Sequence, residues 1–366
     1  LSDMTTLFSG ATLIDGAGGP PLGNAALAVE DDRIAWVGPA PALPEAYRTL
    51  DPIDLQDRWI IPGLIDAHIH VCWNGREDVQ SLLLRRSRDE LLLDAVATLA
   101  RILGDGTTSV RDVGGCDFME MALRDAVEAG TIAGPRMRTS GSVLAITGGH
   151  GHFIAREADG PAEFRKAARE QIKAGADTVK LMATGGVATP GSDIHASQMT
   201  LAEIEAVTAT AHALGRTAAA HCHGRGGIRN CLLGGVDSIE HATFLDDELA
   251  ALMAERGAAA VFTLGVALPD PATVSPALQA EAERLLRLLE PFEAQLALAI
   301  DAARRAGVLI GSGSDAGGNA LAPHDFSMAR ELAELVRFGC SELEALTIAT
   351  RNNARILRME DDVGVL

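Results

Sequence analysis

Apolar residues fall at two different spacings along the 366-residue chain, and the changeover comes near residue 62. Before it, short apolar stretches alternate with polar positions in "TLFSGATLIDG", "NAALAVEDDRIAWVGP" and "TLDPIDLQDRWIIPG", each cut off by Gly, Pro or Asp. Alternation of period two between turn-forming residues predicts short, half-buried strands. After it, runs of strand character take turns with stretches whose apolar positions recur every three or four residues. The predicted strands are 64–71, 108–114, 136–143, 178–184, 217–224, 238–243, 258–264 and 308–315. Between them lie amphipathic helices such as "DELLLDAVATLARILGDG" and "LAEIEAVTATAHALG", several ending on the glycine that helix C-termini favour.

Eight strand–helix units in succession predict a parallel sheet closed into a barrel, so the expected fold class is α/β, a (β/α)8 TIM barrel over residues 62–357. A doubly wound open sheet competes, but its first strand normally leads into a glycine-rich phosphate loop, and "HIHVCWNGRED" is not one. Residues 1–61 form a separate small lobe of strands.

Composition narrows the partners. Hydrophobic residues make up 47% and charged residues 22%, enough for a sizeable globular core. A net charge of −19 opposes phosphate backbones and anionic lipid, so neither nucleic acid nor a membrane is an expected partner, whereas a bound dication is. Five cysteines, odd in number and never spaced as CxxC, argue against a disulfide framework and for a reducing compartment. With no signal peptide and no bilayer-long apolar run, a cytoplasmic location is expected.

The candidate chemistry lies on the predicted strands. In a strand, residues i and i+2 face the same way. His68 and His70 in "DAHIH" therefore point together, near the strand end where barrels of this kind carry their active sites. Lys180 lies in the fourth strand, His221 in the fifth, His241 in the sixth and Asp315 at the end of the eighth. Taken singly, each has a plainer role: a core histidine, a turn or capping aspartate, a lysine reaching to solvent. Together, four imidazoles and a carboxylate converging on one barrel mouth suit a borderline dication such as zinc. Lys180 is one of only three lysines, and the other two, Lys166 and Lys173, belong to a solvated helix. Within the apolar run "DTVKLMAT" an unpaired ammonium would be costly. Lysine, unlike arginine, can become a neutral nucleophile when buried. It can then take up carbon dioxide as a carbamate, a carboxylate able to bridge two metals.

"IPGLIDAHIH", "TVKLMATGG", "AHCHG", "SIEHAT" and "GSDAG", in this order, resemble the amidohydrolase superfamily. "TSGSVLAITGGHGHF" and "HDFSMARELAELVRFGCSELEALTIATRNNARIL" are similar to its metal-dependent dipeptidase, carboxypeptidase and N-acyl amino acid hydrolase branch, to which imidazolonepropionase-like proteins are close. The resemblance implies two divalent ions, preferably zinc. His68, His70 and Asp315 would serve one, His221 and His241 the other, and a carbamate on Lys180 would bridge them. It makes the small lobe a β-sandwich, to which residues 358–366 begin a return. Relatives usually continue past a segment like "DDVGVL" with strands completing that lobe. This sequence ends at Leu366, so those strands are expected to be missing.

The implied activity is hydrolysis of an amide bond in a small substrate, a dipeptide or N-acyl amino acid with a free carboxylate. Water is activated between the metals, and Asp315 is the catalytic proton shuttle. His150, in "TGGHGH", is expected to contact the substrate carbonyl or the developing oxyanion, with His152 a weaker candidate. His223 stands where dipeptidase relatives often carry a tyrosine that holds the substrate carboxylate, and Arg225 or Arg229 is expected to share that task. Cys72 and Cys222 are apolar fillers beside the ligands. Hydrolysis of a cyclic amide, lactone or ester is the alternative, since the same nucleophile attacks any activated carbonyl. A metal-binding protein without activity would not need the intact ligand set. A homo-oligomer is expected.

Overall fold

The computed structural model describes residues 5–76, 78–267, 279–319 and 321–366. Its N-terminal lobe is built on β1 (Thr5–Leu13), which pairs antiparallel with β2 (Leu22–Glu30), itself antiparallel with β3 (Arg33–Pro39). Two short strands, β4 (Ile53–Asp54) and β5 (Trp59–Ile60), run parallel to β1. Leu7, Ala26 and Ala28 pack there against Trp36, Leu43, Tyr47 and Leu50. Residues 5–61 thus supply one five-stranded sheet and not the two layers expected of a sandwich. Every one of these strands bonds to β1 or β2, so none is left to build a second layer. The end of the chain reaches this lobe: the Leu366 amide donates to Asp15 O at 2.9 Å.

Ten further strands follow, all pairing in parallel: β6 (Leu64–Ile69), β7 (Thr107–Asp112), β8 (Arg136–Thr139), β9 (Val143–Ala145), β10 (Ala155–Glu157), β11 (Thr178–Met182), β12 (Thr217–Cys222), β13 (Ser238–His241), β14 (Ala259–Phe262) and β15 (Leu309–Ser312). They form two sheets, β6-β7-β8 and β10-β9-β11-β12-β13-β14-β15. The ladder is not one continuous ring. The sheets meet at both edges through contacts outside the ladders, among them an Ile69↔Ala316 bridge and a hydrogen bond from the Asp177 amide to Thr139 O at 2.8 Å. The predicted strand 136–143 is split because Gly141, at φ 75°, turns the chain between β8 and β9.

Helices connect the strands, among them Arg88–Gly104, Gly160–Ala174 and Leu201–Ala213. Ser87 and Thr200 begin two of them as capping boxes with Glu90 and Glu203, satisfying amides that the first turn would otherwise leave unpaired. Their apolar faces close over the sheet, as where Ile204, Val207 and Leu249 join Leu181, Ala220, Ile239 and Phe262 in the largest core cluster. The inner strands are buried on both faces, and apolar residues run through them almost without a break. Among the described residues no helix is long and apolar enough to cross a membrane.

Candidate metal centre

The centre is built where the first and last of these strands meet. The Asp315 amide donates to His68 O at 2.8 Å, and the His70 amide donates to Ala316 O at 2.9 Å. Between them, Asp66 on β6 accepts from the Ser314 amide at 3.0 Å and from the Ser314 hydroxyl. A Cβ on Gly313 would stand 2.3 Å from the His68 Cβ, so only glycine lets the strands approach this closely. Asp315 follows at φ 51°, a left-handed conformation that turns its carboxylate back over the two histidines.

Each imidazole is oriented by a protein partner on one nitrogen. His68 Nδ1 donates to Glu240 Oε2 at 2.8 Å, and its Nε2 lies 3.4 Å from Asp315 Oδ1. His70 Nδ1 donates to Gly114 O at 3.0 Å, and its Nε2 lies 3.3 Å from the same oxygen. His241 is paired through Nδ1 with Thr263 Oγ1 at 2.8 Å, while His221 is held through Nε2 by Gly185 O at 3.2 Å. Fixing one ring nitrogen sets the tautomer and leaves the other lone pair for a metal.

Glu240 extends this outward. It also accepts from Arg111 at 2.8 Å and from the Ser238 hydroxyl at 2.7 Å. Burial raises its pKa, but the Arg111 guanidinium and His68 outweigh that and hold the carboxyl well below its ordinary range. Asp315 behaves likewise: burial opposes its charge, and His68, His70 and His241 overcome it.

Two triads have their ligand atoms within 4.8 Å of one another: His68, His241 and Asp315, and His221, His223 and His241. His223, at the rim, stacks on His241 at 4.9 Å and 13°, with Nδ1 on Thr243 Oγ1 at 2.8 Å. Lys180 is buried to 2% exposure, and no hydrogen bond or ion pair reaches its Nζ among the described residues. Burial brings its pKa down to about 8, although Glu240 and Asp315 pull the other way.

His150 enters from the loop after β9. Its ring lies 4.4 Å from that of His221, and Nδ1 meets Thr189 Oγ1 at 2.9 Å. That hydroxyl accepts from the Gly151 amide at 3.0 Å and still has a proton to donate to His150 Nδ1, an arrangement in which the imidazole proton sits on Nε2. Burial lowers His150 to about 4 and His223 to about 3, leaving both rings neutral. A Cβ on Gly186 would stand 2.3 Å from His150 Nε2.

One cavity is lined by His68, His70, Lys180, His221, His241 and Asp315, and also by His150 and His223. The remaining residues expected at the site lie elsewhere. Arg225 is exposed and paired with Asp246 and Glu248, Arg229 is paired with Glu248 at 2.6 Å, and His152 turns to Gly149 O; none of the three lines the cavity. The helix that begins at Arg225 carries these guanidiniums outward to the acidic residues around Asp246. Trp73, Phe153, Ile154, Met182, Phe292 and Leu296 make much of the wall, and no arginine among the described residues contributes to it. Sequence reasoning overlooked Glu240, Arg111 and the threonines that orient the rings. Only Glu240 had a visible signal, a carboxylate next to His241 inside an apolar strand.

Residues 59–366 match the amidohydrolase family, and residues 25–48 match the imidazolonepropionase-like composite domain of bacteria. Ochratoxinase from Aspergillus niger is 30% identical over 95% of this chain and 75% of its own length. A Xaa-Pro dipeptidase solved with methionine in its active site superposes with a TM-score of 0.86 at 28% identity, covering 99% of this chain and 91% of its own. A prolidase complexed with N-methylphosphonate-L-proline gives 0.85 at 30% identity, covering 99% and 90%. The chain belongs to the amidohydrolase family, whose members are generally metal-dependent. It is a hydrolytic enzyme acting on C–N bonds.

Proposed function

We propose that this chain is a binuclear zinc hydrolase, with its site at the mouth of a (β/α)8 barrel spanning residues 62–357 and the small lobe formed by 1–61 with 358–366. The substrate is an amide of the dipeptide or N-acyl amino acid type with bulky apolar groups. The observation that carries this is Lys180: a buried lysine with no hydrogen-bond or ion-pair partner among the described residues, in a cavity with four oriented imidazoles and Asp315. As an ammonium it would repel any dication held by those rings. As a carbamate it adds the oxygens that a second metal needs, so the donor set fits two zinc ions. His68, His70 and Asp315 would hold one, His221 and His241 the other, with Lys180 between them.

Zinc held there would lower the pKa of water and polarise a carbonyl. The chain's residues supply the rest. Asp315, kept ionised by its imidazole neighbours, takes the proton of the attacking water and delivers it to the departing nitrogen, without which an amine leaves poorly. His150, in the tautomer that accepts the Thr189 hydroxyl on Nδ1, would donate from Nε2 toward the developing oxyanion. The apolar wall excludes water and receives the acyl and side-chain groups. A substrate carboxylate would meet the neutral ring of His223 and not Arg225, so its charge contributes less to binding than a guanidinium clamp would.

Lys180→Ala tests the proposal. Zinc content and amide turnover should both fall to a small fraction of wild type, with partial rescue by short carboxylic acids. Wild-type protein in ¹³C-labelled bicarbonate should show a carbamate resonance that the variant lacks. A Lys180→Ala variant that keeps its metal and its rate would overturn the bridge.

A further inference from the structure

A second cavity opens at the other end of the strands, where β11 and β12 begin, away from the imidazoles. Arg111, Arg138, Arg216 and Arg358 border it, with Asp177 and Thr217. In a chain of net charge −19, four guanidiniums around one cavity run against the charge of the whole.

Asp177 offsets them only in part. Its Oδ2 is occupied by Arg124 at 2.9 Å and the Thr139 amide at 3.0 Å. Its Oδ1 has Arg138 and Arg216 each at 3.9 Å, beyond hydrogen-bond distance. The Arg216 Nε is buried without a hydrogen-bond partner among the described residues. Arg358 stands 3.5 Å from Asp237, whose other oxygen serves the Ala218 amide and His212. Arg111 forms the inner wall and is already committed to Ala67 O, Ser238 and Glu240. Arg138, Arg216 and Arg358 are 37%, 39% and 57% exposed and reach the opening from different segments of the chain.

We infer that this cavity binds a small, doubly charged oxyanion, a phosphate monoester or a dicarboxylate, gripped by Arg138, Arg216 and Arg358. Planar guanidinium forks match both anions through paired N–H donors, and three of them favour a ligand with more than one charge. The site is separate from the hydrolytic centre and does not depend on how that centre works.

Inorganic phosphate, glycerol phosphate and succinate, titrated calorimetrically into the metal-loaded full chain, provide the test. Zinc also binds oxyanions, so the decisive comparison is with Arg216→Gln/Arg358→Gln. Both side chains are exposed and lie outside the hydrolytic cavity, and the double variant should keep its amide turnover. Its affinity for the preferred anion should fall at least about tenfold, as expected for lost charged hydrogen bonds. Arg138→Gln alone should weaken the same anion, which guards against a folding defect in the double variant. Preference for glycerol phosphate over succinate identifies a phosphate ester, and the reverse a dicarboxylate. Absence of binding to wild type, or affinities unchanged in both variants, would overturn the site.

Discussion

Replacing Glu240 by glutamine removes one charge and almost no volume, and the structure gives that change two separable effects. The first is on stability. Glu240 is wholly buried and faces Arg111, itself only 3% exposed in its side chain, at 2.8 Å. Removing one member of a buried ion pair strands the other and costs about 3–5 kcal/mol. The glutamine can still bond to one neighbour, so the lower end, about 3 kcal/mol, applies here. The second effect is on metal. Glu240 accepts from His68 Nδ1 and so keeps the Nε2 lone pair facing Asp315. A glutamine whose oxygen turns to Arg111 must offer N–H to His68, and the imidazole proton then moves to Nε2, where it blocks a ligand. Turned the other way, its N–H₂ meets the guanidinium. The first orientation weakens zinc binding by the roughly 10–100-fold typical of a lost orienting partner, and the second sets donor against donor, so hydrogen bonding favours the first. Urea unfolding of the metal-free protein reads the first effect, and zinc competition against a chromophoric chelator reads the second. Adding Arg111→Met should recover part of the stability and, by freeing the glutamine oxygen for His68 Nδ1, part of the zinc affinity. A Glu240→Gln variant with wild-type urea midpoint and zinc affinity would refute both halves of the reasoning.

Asp315→Asn keeps an oxygen for metal but cannot accept a proton, so kcat for amides should drop by about 10²–10⁴-fold with much of the zinc retained, and less for esters with good leaving groups. Near-native amide turnover with zinc in place would leave Asp315 no role in proton transfer. His324 gives a pH dependence: it is buried, donates from Nε2 to Trp73 O at 2.7 Å, and has an Nδ1 with no partner among the described residues. Burial lowers its pKa from 6.5 to about 4. Between those values the unfolded chain binds the extra proton, so stability is complete above pH 6.5 and declines toward pH 4, by about 3 kcal/mol from this residue alone. Denaturant midpoints across that range should fall less steeply in His324→Gln; equal slopes would assign the acid sensitivity elsewhere.

Much of the site can be read from sequence because its residues fall on strands with regular spacing. "DAHIH" puts two rings on one face, and an isolated lysine among apolar neighbours marks itself. The parts that escape are those where local backbone leaves the regular pattern. Ser238 and Glu240 share one face of β13 by alternation, so His241 ought to point away; its φ of 70° breaks the pleat and brings it inward as well. The turn at Gly141 and the left-handed Asp315 are of the same kind. Arg225 misled for a different reason. Two residues after His223 it looks poised over the site, but it starts a helix, and the acidic residues around Asp246 offer it a nearer partner.

The junction of β6 with the segment after β15 also constrains how the protein matures. Asp66 and Ser314, whose hydrogen bonds fasten that junction, are 248 positions apart in the chain. Loop closure over such a separation comes late in folding, because its entropy must be met before the contacts form. A nascent chain emerging from the ribosome presents His68 and His70 long before Asp315 has been synthesised. On the proposed metal-site reading, capture by the complete ligand set therefore has to wait until the chain has been made as far as Asp315. Metal incorporation then records the completion of folding, and a chain stalled before residue 313 would carry only part of a site.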